Sequence, residues 1–162
     1  MDDELRYLAS QCGKALQDQK LMLVTAESCT GGWVGEAVTA IPGSSKWYER
    51  GFITYTNLSK QEMLGVKPQT LQNYGAVSEH TVLQMADGAL KHSHAQVAVA
   101  TSGIAGPGGG SEAKPVGTIC IAIVIKDKIR WVNTFQFDGD REVVRQQAVK
   151  TVLLQLVTLL SE

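Results

Sequence analysis

Apolar side chains recur at helical spacing through Leu5, Leu8, Cys12, Ala15 and Leu16, so the chain opens on an amphipathic helix ending near Asp18. The stretch 21–26 is short and almost continuously apolar, which predicts a strand covered on both faces. A second helix is expected over 33–40, broken by Ile41-Pro42-Gly43-Ser44-Ser45. Residues 51–56 read as a strand, and 57–64 as a short helix that Asn57 or Ser59 would cap. Another short helix follows Pro68 and stops at Gly75. Ser78 then caps a longer helix with Val82, Met85, Ala86, Ala89 and Leu90 on one face.

The strand expected over 95–101 leads into a glycine-rich loop. The β-branched runs 116–125 and 129–137, parted by Lys126-Asp127-Lys128, predict an antiparallel hairpin. A last helix runs from Asp138-Gly139-Asp140 to about Leu160. Its apolar stripe of Val144, Ala148, Val152 and Leu156 is widened by Val149, Leu153 and Val157. That face is broad enough to cover a sheet and meet a second copy, so a homodimer is expected. Helices interleaved with the early strands and a closing hairpin predict an α/β fold. The expectation is one three-layer α/β/α domain over 1–162, with a mixed sheet of about five strands.

Composition narrows the function classes. With 162 residues, 44% hydrophobic and 19% charged, the chain reads as one ordinary soluble globule. A net charge of −1 without long runs of one sign argues against binding nucleic acid through a general field. Any ligand phosphate must be met locally. Three scattered cysteines and three histidines show no metal-ligand spacing, so no metal is expected. The acidic start Met1-Asp2-Asp3-Glu4 is unlike a signal peptide, and no apolar run reaches membrane-spanning length. A reducing cytoplasmic setting and no membrane partner are the expectation.

Candidate chemistry begins at Thr25-Ala26-Glu27-Ser28-Cys29-Thr30-Gly31-Gly32, a strand-to-helix junction carrying hydroxyls, a thiol and two glycines. Free N–H groups and the helix dipole favour an anion there, and Ser28 is a candidate nucleophile. The competing reading is that Ser28 or Thr30 only caps the helix. Cys29 is a rival nucleophile without a histidine partner. Ligands in open α/β folds collect at the carboxyl ends of strands, where Ser28, Tyr55 and Ser102-Gly103 are all expected.

No Ser-His-Asp order is evident, and a neutral Lys60 can replace histidine as base if burial lowers its proton affinity. Tyr55 would either relay the proton or hold the amine; both residues also fit structural roles, as a strand tyrosine and a solvated helix lysine. The loop Ser102-Gly103-Ile104-Ala105-Gly106-Pro107-Gly108-Gly109-Gly110 could nest a phosphate or carboxylate, or be no more than a mobile connection. It matches neither the dinucleotide fingerprint, which needs a following helix, nor a Walker loop. Arg141 and Arg145 share a face at the start of the last helix, where they could clamp phosphate or pair with Asp138, Asp140 or Glu142.

These motifs, with Pro42-Gly43-Ser44-Ser45, Gly51 to Asn57, Gly75-Ala76-Val77-Ser78, Lys114 to Thr118 and Gly139-Asp140-Arg141, resemble the CinA C-terminal family over nearly the whole length. The resemblance implies a stand-alone amidase without the larger N-terminal domain of CinA proteins. It implies hydrolysis of nicotinamide mononucleotide to nicotinic acid mononucleotide and ammonia, in pyridine-nucleotide salvage. It further implies a catalytic set of Ser28, Tyr55 and Lys60, with no metal or organic cofactor. Thr30, Gly31 and Gly32 would stabilise the oxyanion, and Ser102, Gly103, Gly106 and Arg141 would hold substrate. Two other classes compete. A non-catalytic nucleotide- or partner-binding module would need Ser28 only as a cap. A short-chain dehydrogenase spaces tyrosine and lysine by three residues, against four here.

Overall fold

The computed structural model describes residues 1–162. In chain order the elements are α1 (Asp3–Asp18), β1 (Leu23–Glu27), α2 (Trp33–Thr39), β2 (Tyr48–Ile53), α3 (Asn57–Leu64) and α4 (Pro68–Tyr74). They continue with α5 (Glu79–Lys91), β3 (Val97–Gly103), β4 (Thr118–Ile125), β5 (Ile129–Gln136) and α6 (Arg141–Leu160). The sheet order is β2-β1-β3-β4-β5, with β1 parallel to both neighbours and β3-β4-β5 antiparallel. The expected five-stranded mixed sheet is therefore present, as is the hairpin, whose turn holds Asp127 at φ 61°.

Alternation along the strands builds two unlike cores. Leu23, Val97, Val99, Ile119, Ile121 and Ile123 face α1, α2 and α6. Ala26, Ala98, Ala100, Cys120 and Ala122 face the side carrying α5. Small residues on that second face let the Val82-Met85-Ala86-Ala89 stripe of α5 lie close to the sheet. Gly88 extends the same close packing to α3, because a Cβ there would stand 1.9 Å from the Leu64 carbonyl oxygen. No helix is long and apolar enough to cross a membrane.

The helices fall where periodicity places them, but the strand bounds shift by up to three residues. β2 ends at Ile53, three residues before the expected limit, so Tyr55 lies in the β2–α3 connection. Thr56 then caps α3, exchanging hydrogen bonds with Ser59 in a capping box; Asn57 is the first helical residue, and Ser59 is the box partner. β3 runs on to Gly103, which makes Ser102 and Gly103 part of the strand.

Candidate active site

β1, β2 and β3 are parallel, so their carboxyl ends share one edge of the sheet. Glu27 ends β1 opposite Ile53 on one side and Thr101 on the other. The ladder continues one step on each side: Ser28 N–H donates to the Thr101 carbonyl at 3.0 Å, and Thr54 N–H donates to the Glu27 carbonyl at 2.8 Å. Ser28 is thereby fixed by main-chain bonds before any side chain acts.

Lys60 reaches this edge from α3 and is 1% exposed. Its Nζ lies 3.0 Å from the Ser28 Oγ, 3.0 Å from the Thr54 carbonyl oxygen and 3.2 Å from that of Tyr55. A carbonyl can only accept, so two N–H groups of the amine are committed to the main chain. The remaining position of the tetrahedral nitrogen faces the serine hydroxyl. Burial lowers the Lys60 pKa from its ordinary value, because the ammonium loses hydration. A neutral amine in this frame presents its lone pair to the Ser28 O–H.

The junction differs from the expected anion site. Glu27, 2% exposed, turns its own carboxylate into the start of α2. It accepts from the Thr30 hydroxyl at 2.6 Å and from the N–H groups of Gly32, Val34 and Gly35 at 3.2, 2.9 and 3.0 Å. Gly31 and Gly32, at φ 60° and 105°, bend the chain through left-handed backbone that aims these groups inward. Gly31 N–H bonds the Ser28 carbonyl at 3.1 Å. The Gly31 and Gly32 amides are consequently occupied. The N–H groups of Cys29 and Thr30 have no acceptor within the protein. Neither Ser28 nor Thr30 caps α2; the residue at that position is Gly32, and the helix start is satisfied by Glu27.

Tyr55 sends its main chain and side chain in different directions. Its carbonyl holds Lys60, while its phenol oxygen accepts from Arg141 Nη2 at 3.0 Å. Arg141 Nη1 also donates to the Gly106 carbonyl at 2.9 Å, tying the glycine loop to α6. Tyr55, Gly106 and Arg141, with Cys29, Gly103 and Ile104, line a cavity of about 210 Å³, and Ser28 and Lys60 lie buried outside its lining. A second cavity of about 450 Å³ lies across Gly106 and Arg141, beside Pro107 and Gly139. Ser102 is buried and does not line the first cavity. Burial pushes the Cys29 thiol up to about 12, which leaves it protonated and unsuited to attack.

Arg145 does not pair with Asp138, Asp140 or Glu142, the acids the sequence offered it, but reaches the turn after Ser28. Its Nε donates to the Cys29 carbonyl at 3.0 Å and its Nη2 to the Thr30 carbonyl at 3.3 Å. The guanidinium lies 5.4 Å from the centre of the Trp33 ring. Glu27 was missed as a site residue. A carboxylate five to eight residues before the amides that donate to it has no short-range signature.

Helices on both faces of the mixed sheet make this a three-layer α/β protein, with a buried lysine amine set against a serine hydroxyl at the carboxyl edge. The chain belongs to the CinA C-terminal domain family, whose model matches residues 5–160. It is 51% identical over 157 residues to the nicotinamide-nucleotide amidohydrolase PncC of Shigella flexneri, covering 96% of this chain and 94% of that one. It is 46% identical to the PncC of Pseudomonas putida, covering 99% of each. The crystal structure of the competence/damage inducible protein CihA from Agrobacterium tumefaciens superposes with a TM-score of 0.94 at 44% identity, over 98% of this chain and 96% of that one.

Proposed function

We propose that this chain hydrolyses the carboxamide of nicotinamide mononucleotide, giving nicotinic acid mononucleotide and ammonia. The PncC relatives that match nearly end to end carry that activity in their name, which supports the substrate class. The single observation that carries the mechanism is the Lys60 Nζ at 3.0 Å from Ser28 Oγ, its other bonds spent on two carbonyls.

Neutral Lys60 takes the Ser28 proton as Oγ attacks the carboxamide carbon, which the pyridinium charge makes more electrophilic. The negative oxygen of the tetrahedral intermediate is met by the free N–H groups of Cys29 and Thr30; each such donor is worth about 3 kcal/mol. This assigns the stabilising role to the start of the turn, since Gly32 serves Glu27. The Lys60 ammonium gives its proton to the departing nitrogen, and ammonia leaves an acyl-serine. Water then attacks the ester, Lys60 accepts its proton and passes it to the departing Ser28 Oγ, and the carboxylic acid product releases its remaining proton to solvent.

Tyr55 acts by its main-chain carbonyl on Lys60 and by its phenol on Arg141. Arg141, Gly103 and Gly106 line the cavity and hold the nucleotide, with the phosphate met by Arg141. A homodimer in the cytoplasm accompanies this reading; the broad α6 stripe is buried within the chain, so a second copy would meet Val143 and Leu154 on the opposite, exposed side of that helix. Light scattering on the purified protein measures the oligomer directly.

Ammonia release from nicotinamide mononucleotide tests the assignment. Turnover by the wild type, with loss of at least about 10³-fold in Ser28→Ala, is expected. Undiminished turnover in that variant rejects the serine mechanism. Binding of the nucleotide without any ammonia release favours the non-catalytic module.

A further inference from the structure

Arg145 is a half-buried cation with no carboxylate partner, and both of its hydrogen bonds go to carbonyls of the turn that follows Ser28. The site as described assigns it no role. A trans peptide directs its C=O and N–H to opposite sides. A guanidinium on the Cys29 carbonyl therefore fixes the Thr30 N–H pointing away from α6. That N–H is one of the two in the turn without a protein acceptor. Donation by a cation also polarises the same peptide and strengthens its N–H as a donor. The Thr30 carbonyl receives both Arg145 Nη2 and the Trp33 N–H, so the next peptide is held as well. The Trp33 ring packs against the guanidinium, so it is braced by the helix whose approach it sets.

We propose that Arg145 is a positioning residue for acyl transfer, aligning the Cys29–Thr30 peptide so that its N–H meets the oxyanion. The proposal rests on the amidase reading above. It predicts an effect on the transition state and little on nucleotide binding, because Arg145 touches neither reacting atom. Glu27 holds the same turn from the opposite side through the Thr30 hydroxyl and the Gly32 amide, so the fold survives loss of one anchor.

The test compares Arg145→Gln and Arg145→Lys in the full chain. Arg145→Gln is expected to lower kcat about 10- to 100-fold, at or below the loss of one whole oxyanion donor, with KM changed less than about 3-fold. Arg145→Lys, which restores one charged donor, should recover part of that loss. The affinity for an analogue bearing an aldehyde in place of the carboxamide, which forms a tetrahedral adduct with Ser28, should fall by a factor similar to kcat. Amide resonances of Cys29 and Thr30 should shift in Arg145→Gln, while those of β1 and β3 stay in place. Unshifted resonances, an unchanged kcat, or a loss carried wholly by KM would overturn the positioning role. Shifted resonances in a chain whose wild type releases no ammonia would defeat the amidase reading and leave the alignment of the turn standing.

Discussion

The phenol of Tyr55 and the guanidinium of Arg141 meet at 3.0 Å across 86 residues of sequence, and this contact turns the tyrosine side chain toward the last helix. Of the two roles expected of Tyr55, relaying a proton and holding the amine, the second has a contact in this geometry, from the Tyr55 carbonyl to Lys60. Tyr55→Phe should accordingly keep kcat within about 10-fold of wild type, since loss of a true acid–base group costs 10²–10⁴-fold. A steady-state assay showing a larger loss of kcat would put the hydroxyl in the chemistry.

Lys60 should govern the pH profile. In the proposed mechanism the amine is the active form, and burial lowers its pKa, so kcat/KM should rise with pH through a midpoint below the ordinary lysine value of 10.5. The same group affects stability. Between the folded pKa and 10.5 the unfolded chain binds more protons, so its contribution to unfolding free energy increases with pH across that window. Lys60→Met should abolish turnover and remove that slope. Urea titrations of both proteins at several pH values between neutrality and 10.5 measure the difference.

Glu27 carries four hydrogen bonds from the turn and from α2 while almost wholly buried. Glu27→Ala leaves those donors without their acceptor and should cost about 3 kcal/mol or more of folding stability. Glu27→Gln keeps one acceptor oxygen but presents N–H to N–H on the other, and should fall between the two. Chemical denaturation reads both. A Glu27→Ala protein as stable as wild type would contradict the role given to this carboxylate.

Arg141 is proposed to meet the phosphate, so Arg141→Gln should raise KM for the nucleotide about 10- to 100-fold, the range of one hydrogen bond to a charged group. Its kcat should change less. Nicotinamide riboside, which lacks the phosphate, should show a much smaller difference between the two proteins. Equal losses for both compounds would assign Arg141 to shaping the glycine loop through Gly106.

Gly88 links the scaffold to the site. Its would-be Cβ meets the Leu64 carbonyl at 1.9 Å, at the end of the helix that carries Lys60. Gly88→Ala must push α3 from α5, costing about 1–3 kcal/mol of stability. It should also lower kcat by displacing Lys60 from Ser28. A thermal melt and an activity assay on one sample report both effects.

Much of the architecture was legible in local pattern. Helical spacing located α1, α5 and α6, because each buries a single stripe whose period survives in sequence. Ser28 and Lys60 were legible as residue types at a strand-to-helix junction and on the next short helix. The strand end beyond Ile53 was not, since Phe52 to Thr56 is β-prone throughout and only the missing partner beyond Glu27 and the Thr56 cap end the ladder. The choice between two arginines on one helix face was equally hidden. Arg141 reaches Tyr55 and Gly106 while Arg145 reaches Cys29 and Thr30, a division set by how α6 crosses the end of the sheet.

Residue order alone therefore decides the layers, the position of the candidate nucleophile and the presence of a lysine on a later short helix. Local periodicity and turn chemistry are enough for that. Three-dimensional packing decides that the lysine is buried against two carbonyls, that Glu27 occupies the helix start, and that Tyr55 looks toward Arg141. Those outcomes depend on hydrogen-bonding valences shared among segments 5 to 86 residues apart, which no short window of sequence contains.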